Sequence, residues 1–503
     1  MEKRQLIMWT DRLGVALVLA VALILRSDLS YRTAFVDEAI NLFEGWQMLR
    51  GQETYLSSYY IGWPALTVVP LGLAGWLGGL EAARALNAVL GTLAVGVVMM
   101  IARQLYGRTA GYIAAGVVAV FGPAIHVSTF ATYDSQSVLL LASGLFLWQR
   151  GLSGNRRALL SLGSLAMMLA VLTKYVALLP AATAAAWVAL TVLTRGPVAA
   201  APGAGRKRLP GLIREALAGL AFMGLPLLLL FGYGLHFRGA LMGLWQATQG
   251  RILQASAGTS GLQWGILKSF VEVLGLPLVV SLPSLWHRKW QPFSLGLLAT
   301  GLSVVVYHLL AAEYHAVVKH TGYVLVAWAP PAAGGLALTV DRLLGRWLRP
   351  AWRATASGLL GLVLVGVVAV SGRAMLPNLQ SAWPDTASLM HYLRPAVQEG
   401  DTMLVEQGAI ARYYLIEKGT PGHRPGQVVD TWWYQDEEGQ GPDAYKRALA
   451  RKRFDWVVFD YVVTPELDRE LLPLLEAGYE RQASFPACIY GQYGTIDVFK
   501  ARP

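Results

Sequence analysis

The chain has 503 residues, of which 55% are hydrophobic and only 15% are Asp, Glu, Lys or Arg. Soluble globular proteins carry about a quarter charged residues, so this composition excludes an ordinary soluble domain and indicates an integral membrane protein. The 42 Lys and Arg outnumber the 31 Asp and Glu, but many of these basic residues separate hydrophobic runs, as topology signals do. We therefore expect no nucleic-acid partner. The single cysteine, Cys488, excludes an intramolecular disulfide.

Hydrophobic runs along the chain predict an α-helical polytopic protein of the cell (plasma or inner) membrane. We expect about eleven spans, near residues 13–26, 84–102, 109–127, 136–149, 158–173, 175–194, 216–234, 270–286, 292–312, 321–340 and 356–371. With a cytoplasmic N-terminus, the basic loops collect on the cytoplasmic side. Residues 63–79 are also apolar, but counting them as a span would send the basic loops outward. We predict a re-entrant or surface-lying helix there.

The composition changes after residue 371. Apolar runs shorten to strand length at 402–407, 454–460 and 493–500, and amphipathic helical stretches lie between them at 386–398, 442–453 and 466–477. Alternating helices and strands are typical of a small α/β domain. We therefore divide the chain into a transmembrane core, residues 1–371, whose first outer loop is 27–83, and an extracytoplasmic α/β domain, residues 372–503.

Two adjacent acids, Asp37 and Glu38, follow the first hydrophobic run. Acids at a bilayer boundary cost free energy unless they are solvated, paired or used. Their position therefore suggests chemistry at the membrane surface. The alternative is structural, because acids also stabilise the N-terminus of a helix such as the one expected at 38–50.

Further polar groups share the outer face in this topology. They are Asp134, Arg84, Lys174, Lys319 and His320. Cations can stabilise a departing lipid phosphate, and a carboxylate can take the proton of an acceptor hydroxyl. Glycoside hydrolysis would need two carboxylates flanking the bond and would leave the cations unexplained. Structural alternatives are a helix cap for Asp134 and snorkelling to the interface for Lys174.

Five motifs resemble one known group of enzymes. The motifs are FVDEAINLFEGWQMLRGQ (35–52), ARALNAVLGTL (83–93), YDSQSVLLL (133–141), LTKYVALLP (172–180) and KHTGYVLVAWAPP (319–331). In order and sidedness they resemble the GT-C glycosyltransferases of the protein O-mannosyltransferase and aminoarabinose (lipid A) transferase group. The resemblance implies a GT-C core that transfers a hexose or pentose, with inversion, from a polyprenyl-phosphate donor to a hydroxyl or phosphate of a protein, lipid or glycan acceptor.

The resemblance also implies roles for single residues. Asp37 would be the catalytic base and Glu38 its supporting acid, while Asp134 would position the acceptor. Arg84 and Lys174 would bind the donor phosphate, and so would Lys319 and His320 in the late motif. No cofactor is certain; Asp37 and Asp134 could share a divalent metal ion.

A second function class is open from the sequence. A lipid flippase or transporter could also use outer acids and cations to handle a phosphorylated substrate. Such proteins usually carry their sites near the bilayer midplane, between inverted repeats. Here the charges lie at the outer boundary, which favours surface chemistry.

Overall fold

The computed structural model describes residues 2–52, 66–154, 156–195, 260–311, 316–417, 428–431, 434–462, 464–489 and 492–503. The span predicted at 216–234 lies outside these residues. The chain forms two compact units. The first unit consists of Met1–Asp28, Tyr55–Thr67 and Arg84–Leu376, and the second of Leu29–Thr54, Val68–Ala83 and Pro377–Pro503.

Helices dominate the described chain up to residue 380. They are α1 (Glu2–Ile24), α2 (Val36–Leu49), α3 (Val68–Tyr106), α4 (Arg108–Val120), α5 (Gly122–Ser128), α6 (Asp134–Gly154), α7 (Arg157–Thr173), α8 (Leu178–Arg195), α9 (Ser260–Ser281), α10 (Gln291–Ala311), α11 (Val317–Leu344) and α12 (Pro350–Gln380). Short 3-10 turns occupy Tyr175–Ala177 and Leu282–Trp286.

Several of these helices can cross a bilayer. In the described part, five are long and apolar enough, or six if the bent pair α4 and α5 forms one span. Within the apolar window of α11, 83% of residues are buried, against 22% for α12. Helix α11 is therefore enclosed by other helices, whereas α12 presents its apolar surface to lipid. The prediction of a helical multi-pass membrane protein is confirmed, and the count of eleven spans stays a prediction.

A buried arginine stabilises the 67° bend between α4 and α5. Ending α4 at Val120 leaves carbonyls of its last turn without helical partners. The fully buried Arg26 guanidinium donates to the carbonyls of Ala119 (3.0 Å) and Val118 (3.4 Å), and also to that of Ala22 at the end of α1 (2.9 Å). Two carbonyls of the last turn of α4 thus have a partner, and α5 leads into the loop 129–133 before α6.

The segment predicted as re-entrant or surface-lying, 63–79, is described from residue 66. Helix α3 is interrupted at Gly78 and at Gly79, whose φ of +70° favours glycine. A separate helical segment from Val68 therefore precedes the longer part of α3. In the second unit this segment packs closely on α2, because a Cβ atom at Gly45 or Gly72 would collide with the backbone of the other helix. The glycines allow close packing of the helix that carries Asp37.

The second unit contains a five-stranded sheet with the order β2-β1-β5-β7-β6. Strand β1 (Met403–Val405) lies parallel to β2 (Val428–Asp430) and β5 (Trp456–Phe459). Strand β7 (Gln492–Ala501) is antiparallel to β5 and to the edge strand β6 (Tyr479–Ile489). The two short strands β3 (Gln435–Asp436) and β4 (Gly439–Gln440) pair with each other.

The structure describes four helices between residues 387 and 478. They are α13 (Ala387–Ala396), α14 (Gly408–Ala411), α15 (Pro442–Ala450) and α16 (Pro465–Gly478), with a π-helical turn at Arg412–Glu417. Three of the four follow the predicted amphipathic stretches, and α14 does not. The small C-terminal sheet is confirmed. Strands β2 and β6 were absent from the sequence prediction, because β2 has only three residues and β6 carries exposed polar residues and Pro486, as an edge strand can.

Candidate active site

A buried carboxylate lies between two lysines in the first unit. Asp134, the first residue of α6, is fully buried. Its Oδ1 pairs with the Nζ of Lys174, which lies in the extended break after α7. Its Oδ2 pairs with the Nζ of Lys319 on α11 at 3.1 Å and accepts the hydroxyl proton of Thr132 at 2.8 Å. The structure therefore brings together three residues that the sequence analysis selected.

The loop before Asp134 is fixed by side chains of neighbouring helices. The amide Nδ2 of Asn87 on α3 donates to the carbonyl of Thr132 at 2.6 Å and to that of Phe130. The hydroxyl of Ser135 donates to the carbonyl of Val127 at 3.1 Å. These bonds hold the turn from α5 to α6 and so direct the Asp134 carboxylate at the lysines.

Charge and burial decide what this cluster can do. Two ammonium groups face one carboxylate, so the cluster keeps a net positive charge. Lys174 is 8% exposed, whereas Lys319 is 22% exposed. Each ammonium also lies over an aromatic ring, Lys174 over Tyr133 at 5.5 Å and Lys319 over Phe130 at 5.3 Å. An anion that reaches Lys319 would meet a positive site whose geometry is already set.

The remaining predicted phosphate ligands are buried. Arg84 of α3 is fully buried. The imidazole of His320 is 3% exposed, and its Nδ1 lies 2.9 Å from Nε2 of His308 on α10. His126 stacks on Phe130, as expected for a packed histidine. The roles of Arg84 and His320 in phosphate binding stay predictions.

The acidic pair lies on α2, in the second unit. The Glu38 carboxylate is fully buried and accepts the backbone N–H of Phe35, the N-cap residue, at 3.0 Å. Glu38 therefore acts as a helix cap, which is the structural alternative considered for it. Asp37 is partly exposed. Of the pair, only Asp37 retains the exposure that a base needs to meet an acceptor.

Sequence reasoning missed several buried polar residues around these groups. Asn41, Glu44 and Gln47 follow the predicted Glu38 at every third position of α2, and all of them are buried. Successive members of this series are neighbours on the helix surface, so each step of three between polar residues is a readable signal. Asn87 stands three residues after Arg84 and could have been found in the same way. Arg26 gives no such signal, because its partners are backbone carbonyls, two of which lie more than 90 residues away.

The residues that the structure describes add no support for the metal ion considered from the sequence. Within the described ranges, no group of three or more His, Cys, Asp or Glu side chains could hold a metal ion. Glu313 and His315 lie outside the described residues. A divalent ion shared by Asp37 and Asp134 stays a prediction of the sequence analysis.

Comparison with known proteins supports the resemblance. A family model described as dolichyl-phosphate-mannose-protein mannosyltransferase matches residues 76–202, about a quarter of the chain. No curated protein matches the sequence. Among solved structures, apo ArnT from Cupriavidus metallidurans superposes with a TM-score of 0.57 at 16% identity, covering 99% of this chain and 100% of that one.

Two further structures have the same fold. ArnT from the same organism, bound to undecaprenyl phosphate, gives a TM-score of 0.57 at 17% identity and covers 98% of this chain and 99% of that one. The Archaeoglobus fulgidus oligosaccharyltransferase tethered with an acceptor peptide gives 0.56 at 14% identity, covering 97% of this chain and 74% of that one. The chain has the fold of these structures, the GT-C fold. The fold expected from the five motifs is thus confirmed.

Proposed function

We propose that this protein is a membrane glycosyltransferase that moves a sugar from a polyprenyl-phosphate donor to an acceptor outside the cytoplasm. The observation that carries the proposal is the buried group of Asp134, Lys174 and Lys319, which has a net positive charge, in a chain with the GT-C fold. A sugar attached to a lipid phosphate already has a good leaving group. What accelerates its transfer is stabilisation of the negative charge that develops on the departing phosphate.

The lysines bind the donor phosphate in this proposal. Lys319, with its 22% exposure, makes the direct contact, and Lys174 supports it from a more buried position. Asp134 holds both ammonium groups in place, a role that its full burial favours over direct positioning of the acceptor. Arg84 adds positive charge to the same unit. ArnT has been solved with undecaprenyl phosphate and an archaeal oligosaccharyltransferase with a dolichol-phosphate, which supports a lipid-phosphate donor here.

Asp37 acts as the base. A carboxylate that removes the proton of the acceptor hydroxyl as it attacks the anomeric carbon gives direct displacement of the phosphate, with inversion of configuration. The partial exposure of Asp37 suits this role. Glu38 contributes by fixing the first turn of α2, so that the carboxylate next to it keeps a defined direction.

A transfer assay tests the proposal. Purified protein in detergent is supplied with a panel of radiolabelled polyprenyl-phosphate sugars and with membrane extract as acceptor. Wild type is expected to move label into the acceptor, whereas Asp37→Asn, which keeps the size of the side chain, loses transfer by at least about a hundredfold while it still binds donor.

Asp28→Asn is the matched control, because Asp28 is an exposed acid only nine residues before Asp37. This variant should transfer at the wild-type rate. Full transfer by a folded Asp37→Asn protein would exclude Asp37 as the base. Failure of the folded wild type to bind or use any donor of the panel would instead favour the transporter hypothesis.

A further inference from the structure

The second unit contains a cavity of about 750 Å³ that the proposed reaction leaves unassigned. Its wall is formed by α13, by Tyr414 of the π-helical turn, by Phe485 of β6 and by Thr33 in the segment before α2. This volume lies in the range of small-molecule sites, about 300–1,000 Å³. All of these residues belong to one unit, so the cavity is a feature of that unit alone.

The cavity wall is tied to the segment that precedes Asp37. The hydroxyl of Thr33 accepts the backbone N–H of Thr386 at 2.9 Å, and its carbonyl accepts the indole N–H of Trp383 at 3.1 Å. The backbone N–H of Ala34 donates to the Tyr414 hydroxyl at 2.8 Å. Asp37 lies four positions after Thr33 in the sequence, a distance of at most about 14 Å along the chain. The cavity wall is therefore joined to the proposed base by a short length of chain.

The lining combines aromatic rings with hydroxyl groups. Tyr392 and Phe485 lie with ring centroids 5.8 Å apart and planes inclined by 58°. Tyr414 contributes a third ring, and Ser388 and Thr33 contribute hydroxyls. Aromatic faces pack against the C–H groups of a pyranose, and hydroxyls exchange hydrogen bonds with it. These are the contacts that a sugar ring needs.

The charge of the lining has one sign. His391 and Arg394 are exposed basic side chains on α13, and none of the nine described lining residues is acidic. A guanidinium recognises carboxylate and phosphate groups through charge-assisted hydrogen bonds. The cavity therefore favours a ligand with a negative charge over a neutral or cationic one.

We propose that this cavity is the acceptor site and that it takes a saccharide bearing a carboxylate or phosphate group. The assignment of the ligand as an acceptor rests on the proposed glycosyltransferase function. The rings of Tyr392 and Phe485 hold the sugar, Arg394 binds its acidic group, and the Thr33 segment sets its distance from Asp37. The same acidic saccharide could be a free glycan or the headgroup of a lipid.

Binding to the full-length protein tests the site without any transfer. Isothermal titration in detergent uses a glucuronic acid-containing disaccharide and its neutral glucose counterpart as probes. Arg394→Gln should weaken binding of the acidic probe about tenfold and leave the neutral probe within about twofold. Phe485→Leu should weaken both probes. Arg469→Gln on α16, an exposed arginine outside the cavity, is the matched control and should change neither.

Three results would overturn the proposal. They are equal affinity for both probes, no binding by wild type, and binding that neither Arg394→Gln nor Phe485→Leu weakens. Tighter binding of a Ser/Thr peptide with the same dependence on Arg394 would replace the saccharide by a peptide. The acidic disaccharide attached to a lipid in nanodiscs separates the two sources: tighter binding of this form indicates a glycolipid, and equal binding a glycan.

A parallel transfer assay separates this site from the proposed function. If wild type transfers sugar but Arg394→Gln leaves the acceptor KM unchanged, the cavity is not the acceptor site and the glycosyltransferase stands. If the acidic probe binds in an Arg394-dependent way but no donor of the panel is used, the saccharide site stands and the glycosyltransferase falls.

Discussion

Asp134 in the first unit and Glu406 in the second are both buried carboxylates, and their partners differ in kind. Asp134 faces two lysine ammonium groups. Glu406, which follows β1, accepts hydrogen bonds from the backbone N–H groups of Asp460, Tyr461 and Thr464 and from the Thr464 hydroxyl. The first carboxylate is balanced by full charges and the second mainly by backbone dipoles.

This difference distinguishes a carboxylate in a candidate binding site, Asp134, from one with a structural role, Glu406. The backbone N–H groups of Asp460, Tyr461 and Thr464 cannot leave Glu406 without a change of the main chain, so that carboxylate fixes the entry to α16. Lysine side chains are long and carry whole charges, and two of them face the single Asp134 carboxylate. The carboxyl ends of parallel strands often form ligand sites in α/β folds. Here Glu406 occupies that position with internal hydrogen bonds.

The largest expected effect comes from removing the carboxylate between the lysines. Asp134→Ala removes this counter-charge from the buried Lys174 and the partly exposed Lys319, and breaking a buried pair in this way costs about 3–5 kcal/mol. The thermal midpoint in detergent should fall strongly. The double variant Asp134→Ala, Lys174→Met should recover part of the loss, because it also removes the more buried cation.

Asp341→Ala is the control for that experiment. Asp341 pairs with Arg353 at 2.8 Å, but its side chain is 58% exposed, and exposed pairs contribute only about 0–1 kcal/mol. Equal stability losses in Asp134→Ala and Asp341→Ala would show that burial does not increase the contribution of the Asp134 ion pairs to stability.

A smaller effect is expected at the exposed side of the cluster. Lys319→Met removes the more exposed of the two cations. It should weaken polyprenyl-phosphate binding about tenfold, with the fold intact. Lys319→Arg should restore most of the affinity. Titration of the lipid phosphate into protein in detergent measures both. Lys268→Met, which changes a 64% exposed lysine of α9, serves as control; unchanged affinity in Lys319→Met would exclude a phosphate contact at Lys319.

The sequence predicted the members of this cluster but not their pairing. Asp134, Lys174 and Lys319 stood out because each lies at the edge of a hydrophobic run within a recognisable motif. Their contact could not be derived, because it joins residues 40 or more positions apart through the packing of α6, α7 and α11. Glu406 gave no signal in the sequence, since its partners are backbone groups, which every residue has.

The elements of the fold were likewise predictable from the sequence only in part. Long apolar runs predicted most of the membrane helices. Amphipathic periodicity predicted α13, α15 and α16, because a helix with one buried face has apolar residues at regular spacing. Strand β2 could not be found in this way. Its three residues can be recognised as a strand only by their parallel pairing with β1, and this pairing exists only in the folded chain.

The smallest predicted effect concerns pH and the acids around Glu406. Burial, followed by the Asp460 and Asp468 carboxylates, raises the pKa of Glu406 above its ordinary value, against the opposing effect of the N–H donors. Burial also raises the pKa of Asp468. A carboxyl whose pKa is raised by folding holds its proton longer in the folded state than in the unfolded one. Its stabilising contribution is complete below the unfolded pKa and is lost as the pH rises through the folded pKa.

Asp468→Asn should therefore flatten the pH dependence of the second unit. The amide cannot ionise beside Glu406, so the variant should be more stable than wild type at pH 8.5 by about 1 kcal/mol and similar to it at pH 5. Hydrogen exchange of peptides from β1 and β5, corrected for intrinsic rates, measures this at both pH values. Asp443→Asn, at an acid that is 84% exposed, should keep the wild-type dependence. An unchanged slope in Asp468→Asn would mean that Asp468 ionises in the folded unit as readily as in the unfolded chain, and would contradict the raised pKa of this carboxyl.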